Sequence, residues 1–192
     1  MIDCIIPAAG DSRRMGRWKP ALRWGSGWVI DAVVQTALTA GTRVILVTRA
    51  DQRRLLAERF ATRRDVILIV NPQAELGMFS SIQCGVRHLE TRRFFVLPAD
   101  MPLVPAAIFT QLRELPMSDA VRPMYGGQPG HPVLLSARVA DRVLALPPGA
   151  TMRRALDGFR MRTIETTDRG VCIDLDTPAD YQRSLDNGAD SG

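Results

Sequence analysis

Lys19 is the only lysine among the 192 residues of this chain, set against 24 arginines. Where arginine is the default cation, a lone lysine marks a position suited to a compact ammonium rather than a planar fork. It closes the run Pro7-Ala8-Ala9-Gly10-Asp11-Ser12-Arg13-Arg14-Met15-Gly16-Arg17-Trp18-Lys19. Ala8, Ala9 and Gly10 would let backbone N–H groups approach phosphate oxygens or a base edge, while Arg14 and Lys19 bring positive charge to a polyphosphate. An ordinary strand-to-helix turn with solvated arginines would use the same residue types, and the run matches neither the dinucleotide fingerprint nor the P-loop.

Other chemistry-bearing residues fall at the ends of apolar runs. Asp100 follows Phe94 to Pro98, and its hard carboxylate oxygens suit Mg²⁺, which bridges phosphates and keeps several waters; capping a following helix is the competing use. Asp174 and Asp176 follow a later run, where a second carboxylate could complete a metal site. Gly77 to Ile82 offers close approach at Gly77 and a hydroxyl at Ser81 for a base, or simply a glycine turn before a Ser-capped helix. His131, within Gly127-Gln128-Pro129-Gly130-His131-Pro132, sits on a rigid turn where it could contact an acceptor phosphate or serve as a structural histidine. His88 reads as a surface or satisfied histidine, and Trp18, Trp24 and Trp28 as packing for the N-terminal loop.

The elements that must position these residues alternate. Short apolar runs predict strands at Asp3 to Pro7, Arg43 to Thr48, Val66 to Val70 and Phe94 to Pro98. Helical patterns follow at Val29 to Ala40, Gln52 to Phe60, Ser80 to Leu89 and Ala106 to Leu115, with Asp51 a candidate N-cap for the second and Ser80 or Ser81 for the third. Repeated βα units imply an α/β fold: a mostly parallel, Rossmann-like sheet between two helical layers. After Leu115, prolines and glycines from Pro116 to Pro132 read as breaks. Strands are expected at Val133 to Leu135, Met161 to Glu165 and Val171 to Asp174, and helices near Arg138 to Leu146, Met152 to Phe159 and Asp180 to Leu185, the last opened by Thr177-Pro178. Residues 1–186 read as a single domain and 187–192 as a flexible tail.

Composition narrows the class. The formal net charge is +5 and the pI near 9.8, but the arginines are dispersed among 20 acids with no aromatic-basic platform, which favours small anionic ligands over nucleic acid. Cys4, Cys84 and Cys172 are odd in number and lack metal spacing, so buried reduced thiols and a cytoplasmic location are expected. No apolar window approaches a membrane span.

Taken whole, the segment from Ala8 to Lys19 resembles the signature of the nucleotidyltransferases that attach a nucleotide to the molybdenum cofactor, within the nucleotide-diphospho-sugar transferase fold. The resemblance continues through Asn71-Pro72, Gly77-Met78, Ser80-Ser81-Ile82, Leu97-Pro98-Ala99-Asp100-Met101-Pro102, Gly130-His131-Pro132 and Asp174-Leu175-Asp176-Thr177-Pro178. It implies a nucleotide site of Ala8, Ala9, Gly10, Ser12, Arg14, Lys19, Asn71, Gly77, Ser81 and Ala99, with Lys19, Arg14 and Asp100 catalytic. Asp100 and Asp176 would hold Mg²⁺, and Gly130 and His131 would meet the acceptor. The Ala8-Ala9-Gly10 sequence is similar to the cytidylyl members, where guanylyl members carry more glycine, so the implied partners are CTP and a molybdopterin-type acceptor, with a molybdenum hydroxylase or its accessory protein as recipient. Transfer to a sugar or polyol phosphate, an NAD(P)H-dependent oxidoreductase on the same fold, and a non-catalytic cofactor carrier are the other readings.

Overall fold

The computed structural model describes residues 1–10, 15–116 and 118–188. In chain order these form β1 (Ile2–Pro7), β2 (Arg23–Trp24), β3 (Gly27–Trp28), α1 (Val29–Thr39), β4 (Thr42–Thr48), α2 (Arg53–Arg59), β5 (Val66–Val70), α3 (Met78–Val86) and β6 (Arg93–Val96). Then come α4 (Ala106–Glu114), β7 (Ala120–Tyr125), β8 (Gln128–Pro129), β9 (Val133–Ser136), α5 (Ala137–Ala145), α6 (Met152–Leu156), β10 (Met161–Glu165) and α7 (Pro178–Gly188).

The main sheet runs β10-β7-β9-β6-β1-β4-β5, with β8 on β7. Its first half is parallel, as the apolar runs require: β1 pairs in parallel with β4 and with β6, and β4 with β5. Every residue of β1 after Ile2 is buried, the pattern of a strand covered on both faces. Successive side chains point to opposite faces, and the core divides accordingly. Cys4, Ile6, Leu46 and Phe95 pack against α1 and α4, with Phe95 edge-on to Phe109 at 4.7 Å between centroids. Ile5, Ile45, Phe94 and Val96 pack against α3 and α5. Gln83 of α3 ties the two helices on that side, donating to Val143 O at 2.8 Å and Leu146 O at 2.7 Å.

Beyond β6 the sheet turns antiparallel at β9, and here the expectations from sequence need correction. Pro123 lies inside β7, in a stretch read as broken. Its place is permitted because β9 pairs with β7 only at Ala120 and Val121, so the missing N–H costs no bond to β9. Val171 to Asp174, expected as a strand, instead starts inside a 3₁₀ turn, Arg169–Cys172, and leaves it as irregular chain. Asp168 Oδ1 accepts from Gly170 N at 2.8 Å, and that local bond competes with any sheet ladder. The third helix begins at Met78, with Gly77 at the capping position, so Ser80 and Ser81 lie inside it. Asp51 sits within a 3₁₀ turn that runs into α2 and caps nothing. The Thr177-Pro178 start is as expected: Thr177 N donates to Asp180 Oδ2 at 2.9 Å and Asp180 N to Thr177 Oγ1 at 3.2 Å, a reciprocal cap.

Gly85 shows how closely α3 rides on β1, since a Cβ there would meet Ile5 Cγ2 at 2.7 Å. Gly85→Val is expected to destabilise the protein by about 1–3 kcal/mol through overpacking, read as a lower urea midpoint with an unchanged slope.

Candidate active site

The site forms at the carboxyl edge of the parallel strands. Where β1 ends, Ala8 N donates to Val47 O at 2.7 Å, which carries the ladder one residue further and pins the start of the loop. Ala8 and Ala9 are buried. Trp18 returns over this segment and its Nε1–H donates to Ala8 O at 3.2 Å, so at least this tryptophan packs the loop as its sequence position suggests. The next residue opens a short 3₁₀ turn, Lys19–Ala21, whose Pro20 is buried.

That turn aims Lys19 between two carboxylates. Its Nζ donates to Asp100 Oδ2 at 2.9 Å and to Asp176 Oδ1 at 2.6 Å. The lysine side chain is only 11% exposed, against 21% for Asp100 and 37% for Asp176, so the clamp is partly withdrawn from solvent. Asp100 comes from the turn after β6, well before α4 starts, which removes the capping alternative. Asp176 comes from the residue before Thr177, and its loop is joined to the first by Leu175 N donating to Asp100 O at 3.0 Å. The helix behind Asp176 is in turn fastened to the lysine-bearing segment, because the Tyr181 hydroxyl donates to Arg23 O at 2.6 Å.

Electrostatics follow from that geometry. Burial works against the Lys19 ammonium, but its hydrogen bond to Asp176 and the charge of Asp100 outweigh it and hold the pKa above the usual lysine range. Asp174 moves the other way: although its residue is exposed, partial desolvation first, then the neighbouring charges of Asp176 and Asp100, lift its carboxyl above the usual range. Among the described residues no cluster of three metal-ligating side chains forms.

One cleft brings together most of the residues singled out from sequence. Ala8, Ala9, Gly10, Lys19, Ser81, Ala99, Asp100 and Asp176 line it, joined by Pro7, Pro20 and Met78, which carried no chemical signal in the sequence. Asn71 stands behind it rather than in it. Its buried Nδ2 donates to Ser80 Oγ at 2.9 Å and Ser81 Oγ at 3.0 Å, and its Oδ1 accepts from Gln73 N at 2.9 Å. Asn71 therefore orients the serine that faces the cleft. Gly77 supplies a turn at φ +94° that only glycine takes readily. Ser12 and Arg14 lie outside the described residues.

Gly130 and His131 do not line the cleft, although the His131 ring feels the Asp100 charge. Gly130 N donates to Pro123 O at 2.8 Å, an antiparallel pair that would normally exchange two bonds. Proline has no N–H to return, and the Arg122 guanidinium fills the gap, its Nη2 donating to Gly130 O at 3.1 Å. His131 N donates to Val171 O at 2.8 Å. Burial, with the Arg122 charge adding to it, pulls the imidazole pKa down to about 4, so the ring is neutral at neutral pH, and its buried Nδ1 has no hydrogen-bond partner. His88 is the surface histidine expected, held by a 3.0 Å contact between Nδ1 and Cys84 O. All three cysteines are free; Cys4 is buried, while Cys84 and Cys172 are only half-buried.

Residues 4–165 match the model of the MobA-like NTP transferase domain. The chain is 35% identical over 182 residues to molybdenum cofactor cytidylyltransferase of Escherichia coli (strain K12), spanning 94% of this chain and 93% of that protein. It is 22% identical over 199 residues to molybdenum cofactor guanylyltransferase of Xanthomonas euvesicatoria, spanning 97% and 95%. Among solved structures, a nucleotidyl transferase from Methanothermobacter superposes with a TM-score of 0.85 at 22% identity, covering all of this chain and 99% of that one. The α/β architecture is therefore the nucleotide-diphospho-sugar transferase type. No described helix is long and apolar enough to cross a membrane.

With one lysine in the sequence, the clamp can be read by a single side-chain signal. In metal-free protein carrying ¹⁵N-lysine, Asp176→Asn removes a charge and weakens a hydrogen bond that both raise the Lys19 pKa, while burial, which lowers it, stays. The Nζ titration is expected to move to lower pH than in the parent protein; an unmoved titration would contradict the clamp.

Proposed function

The chain belongs to the MobA-like NTP transferase family and is a nucleotidyltransferase, and from that premise we propose that it moves CMP from CTP to the phosphate of a molybdopterin-type cofactor with release of pyrophosphate. The observation that carries the reading is Lys19 held between Asp100 and Asp176 at the mouth of the Ala8–Gly10 loop. A nucleoside triphosphate laid along that loop would meet backbone N–H groups at its phosphates and the Lys19 ammonium at the end that departs. The base would lie toward Ser81, whose hydroxyl is oriented by Asn71. Ser12 and Arg14, which follow Gly10 in the sequence, are proposed to join the phosphate contacts.

In the reaction an oxygen of the acceptor phosphate attacks the α-phosphorus, a new P–O bond forms, and the bond to the bridging oxygen breaks as pyrophosphate leaves. An anionic phosphate nucleophile needs no general base, so the work of the protein is alignment and charge neutralisation. Lys19 neutralises the leaving pyrophosphate. Asp100 and Asp176 are two hard-oxygen ligands already converging on one cation, which fits Mg²⁺, an ion commonly held by one or two carboxylates together with substrate phosphates and water. Bound there, Mg²⁺ would neutralise charge on the nucleotide oxygens. Gly130 and His131 are proposed to meet the acceptor, the neutral imidazole adding no charge to the site.

Preference for CTP over GTP rests on Ala9, a buried methyl group where the guanylyl members carry glycine, and on the cytidylyltransferase at 35% identity. A molybdenum hydroxylase would then receive the dinucleotide product. The oxidoreductase and carrier readings give no task to the Lys19 clamp.

Pyrophosphate release is expected with CTP, Mg²⁺ and molybdopterin cofactor together, with little from GTP, ATP or UTP and none when the acceptor is omitted. Lys19→Ala and Asp100→Ala should each lower turnover at least about a hundredfold, the loss of roughly 3 kcal/mol from the transition state. Release with a sugar phosphate in place of molybdopterin would move the acceptor assignment, and near-parental rates in both variants would remove the roles given to these side chains.

A further inference from the structure

A second cleft opens at the opposite edge of the sheet, on the order of 20 Å away if the seven residues from Arg93 to Asp100 are taken as extended. It is lined by Arg92 and Arg93 at the start of β6, Ser118 and Asp119 before β7, Ser136 to Arg138 where β9 runs into α5, and Arg160 before β10. Four guanidinium groups thus face one carboxylate. That carboxylate is already committed: Asp119 Oδ1 accepts from Arg138 Nη1 at 2.9 Å and Oδ2 from Arg160 N at 3.1 Å.

Two further features leave donors over. Ser136 occupies the N-cap of the nine-residue α5, yet its side chain makes no capping hydrogen bond, and the first turn carries no acidic residue. The N–H groups of that turn and their partial positive charge are therefore left without the usual neutralising side chain. Directly across the strand pair, Arg93 is the register partner of Ser136. Its hydrogen bond is a long 3.5 Å contact from Nη1 to Arg113 O; Nη2 is buried with no hydrogen-bond partner, and so is Ser136 Oγ. With burial and no facing carboxylate, the Arg93 pKa is pulled below the usual arginine range. A partly buried cation without a counter-charge is costly, and a helix N-terminus beside it is a ready anion site.

We propose that this cleft binds a phosphate-bearing small molecule, held by the arginine forks of Arg92, Arg93 and Arg160 and by the N-terminus of α5, independently of the nucleotide cleft. A phosphate group has several terminal oxygens, so guanidinium forks can grip it two bonds at a time and still leave an oxygen for the unpartnered Ser136 hydroxyl, while the Ser118 hydroxyl is already donated to Arg160 O at 2.7 Å.

Pyrophosphate is the probe, titrated calorimetrically in metal-free buffer at fixed ionic strength into Lys19→Ala protein, in which the nucleotide cleft has lost its ammonium. Saturable binding is expected, weakened at least about tenfold by the paired exposed substitutions Arg92→Gln and Arg160→Gln, in keeping with the strength of charge-assisted bonds. Ala137→Pro should weaken it as well, since proline is accepted at the first helical position but deletes an N–H that faces the cleft. The same charge removed elsewhere, as Arg53→Gln with Arg64→Gln, should leave binding unchanged. Equal loss in that control pair, absence of saturable binding, or tighter binding of citrate than of pyrophosphate would each overturn the assignment.

Discussion

One ammonium between two carboxylates holds the active edge of this protein together. The residues involved are far apart in the chain, 81 positions from Lys19 to Asp100 and 157 from Lys19 to Asp176, so the interaction closes the N-terminal loop, the turn after β6 and the approach to α7 into one unit. Salt bridges on open surface contribute little, but here the lysine side chain is only 11% exposed, and without it two neighbouring carboxylates would lose their shared cation. The rest of the site is arranged so that the clamp can form: Trp18 fixes the loop from above, Pro20 anchors the turn that carries the lysine, and the Tyr181 hydroxyl fastens α7 to Arg23.

A second theme is backbone bonding that leaves the regular ladder where function begins. The parallel strands end with Pro7 and Val96, and from there the chain satisfies itself across loops: Leu175 N to Asp100 O, His131 N to Val171 O, Gly130 N to Pro123 O. Arg122 completes the last of these by giving a side-chain donor to the carbonyl that proline cannot serve. Gly130 is required in that arrangement, because a Cβ would stand 2.7 Å from Val171 O. The turn that presents His131 is thus held by main-chain contacts on both sides.

The parallel half of the fold was legible because strands covered on both faces read as near-continuous apolar runs, and β1, β4, β5 and β6 carry such runs with polar residues only toward their ends. The antiparallel half was not. Pro123 signals a break unless one knows that β9 has already parted from β7, a fact of register that no local pattern carries. Val171 to Ile173 is apolar enough to suggest a strand, but the Asp168–Gly170 bond bends it into a turn before pairing can start. Within the site, Lys19 announced itself by being unique, and Asp100 by ending a strand. Asn71 looked like a ligand contact because sequence cannot say which way a buried amide faces. Arg122 could not be told from 23 other arginines, since its importance comes from a proline on the same strand and a glycine on the next one. The arginine cleft draws on β6, β7 and β9, neighbours only once the sheet order is known.

The exclusive use of arginine elsewhere carries a consequence for how this protein ages. Acylating metabolites, cyanate and reducing sugars attack side-chain amines, and most proteins absorb such damage on dozens of dispensable surface lysines. Here the side chains offer a single amine, Lys19, beside the α-amine of the chain, and Lys19 is the catalytic candidate. Its position inside the carboxylate clamp keeps it protonated, hence non-nucleophilic, and mostly out of reach. Wear on side-chain amines therefore has one place to act in this molecule, the clamp on which the proposed chemistry depends.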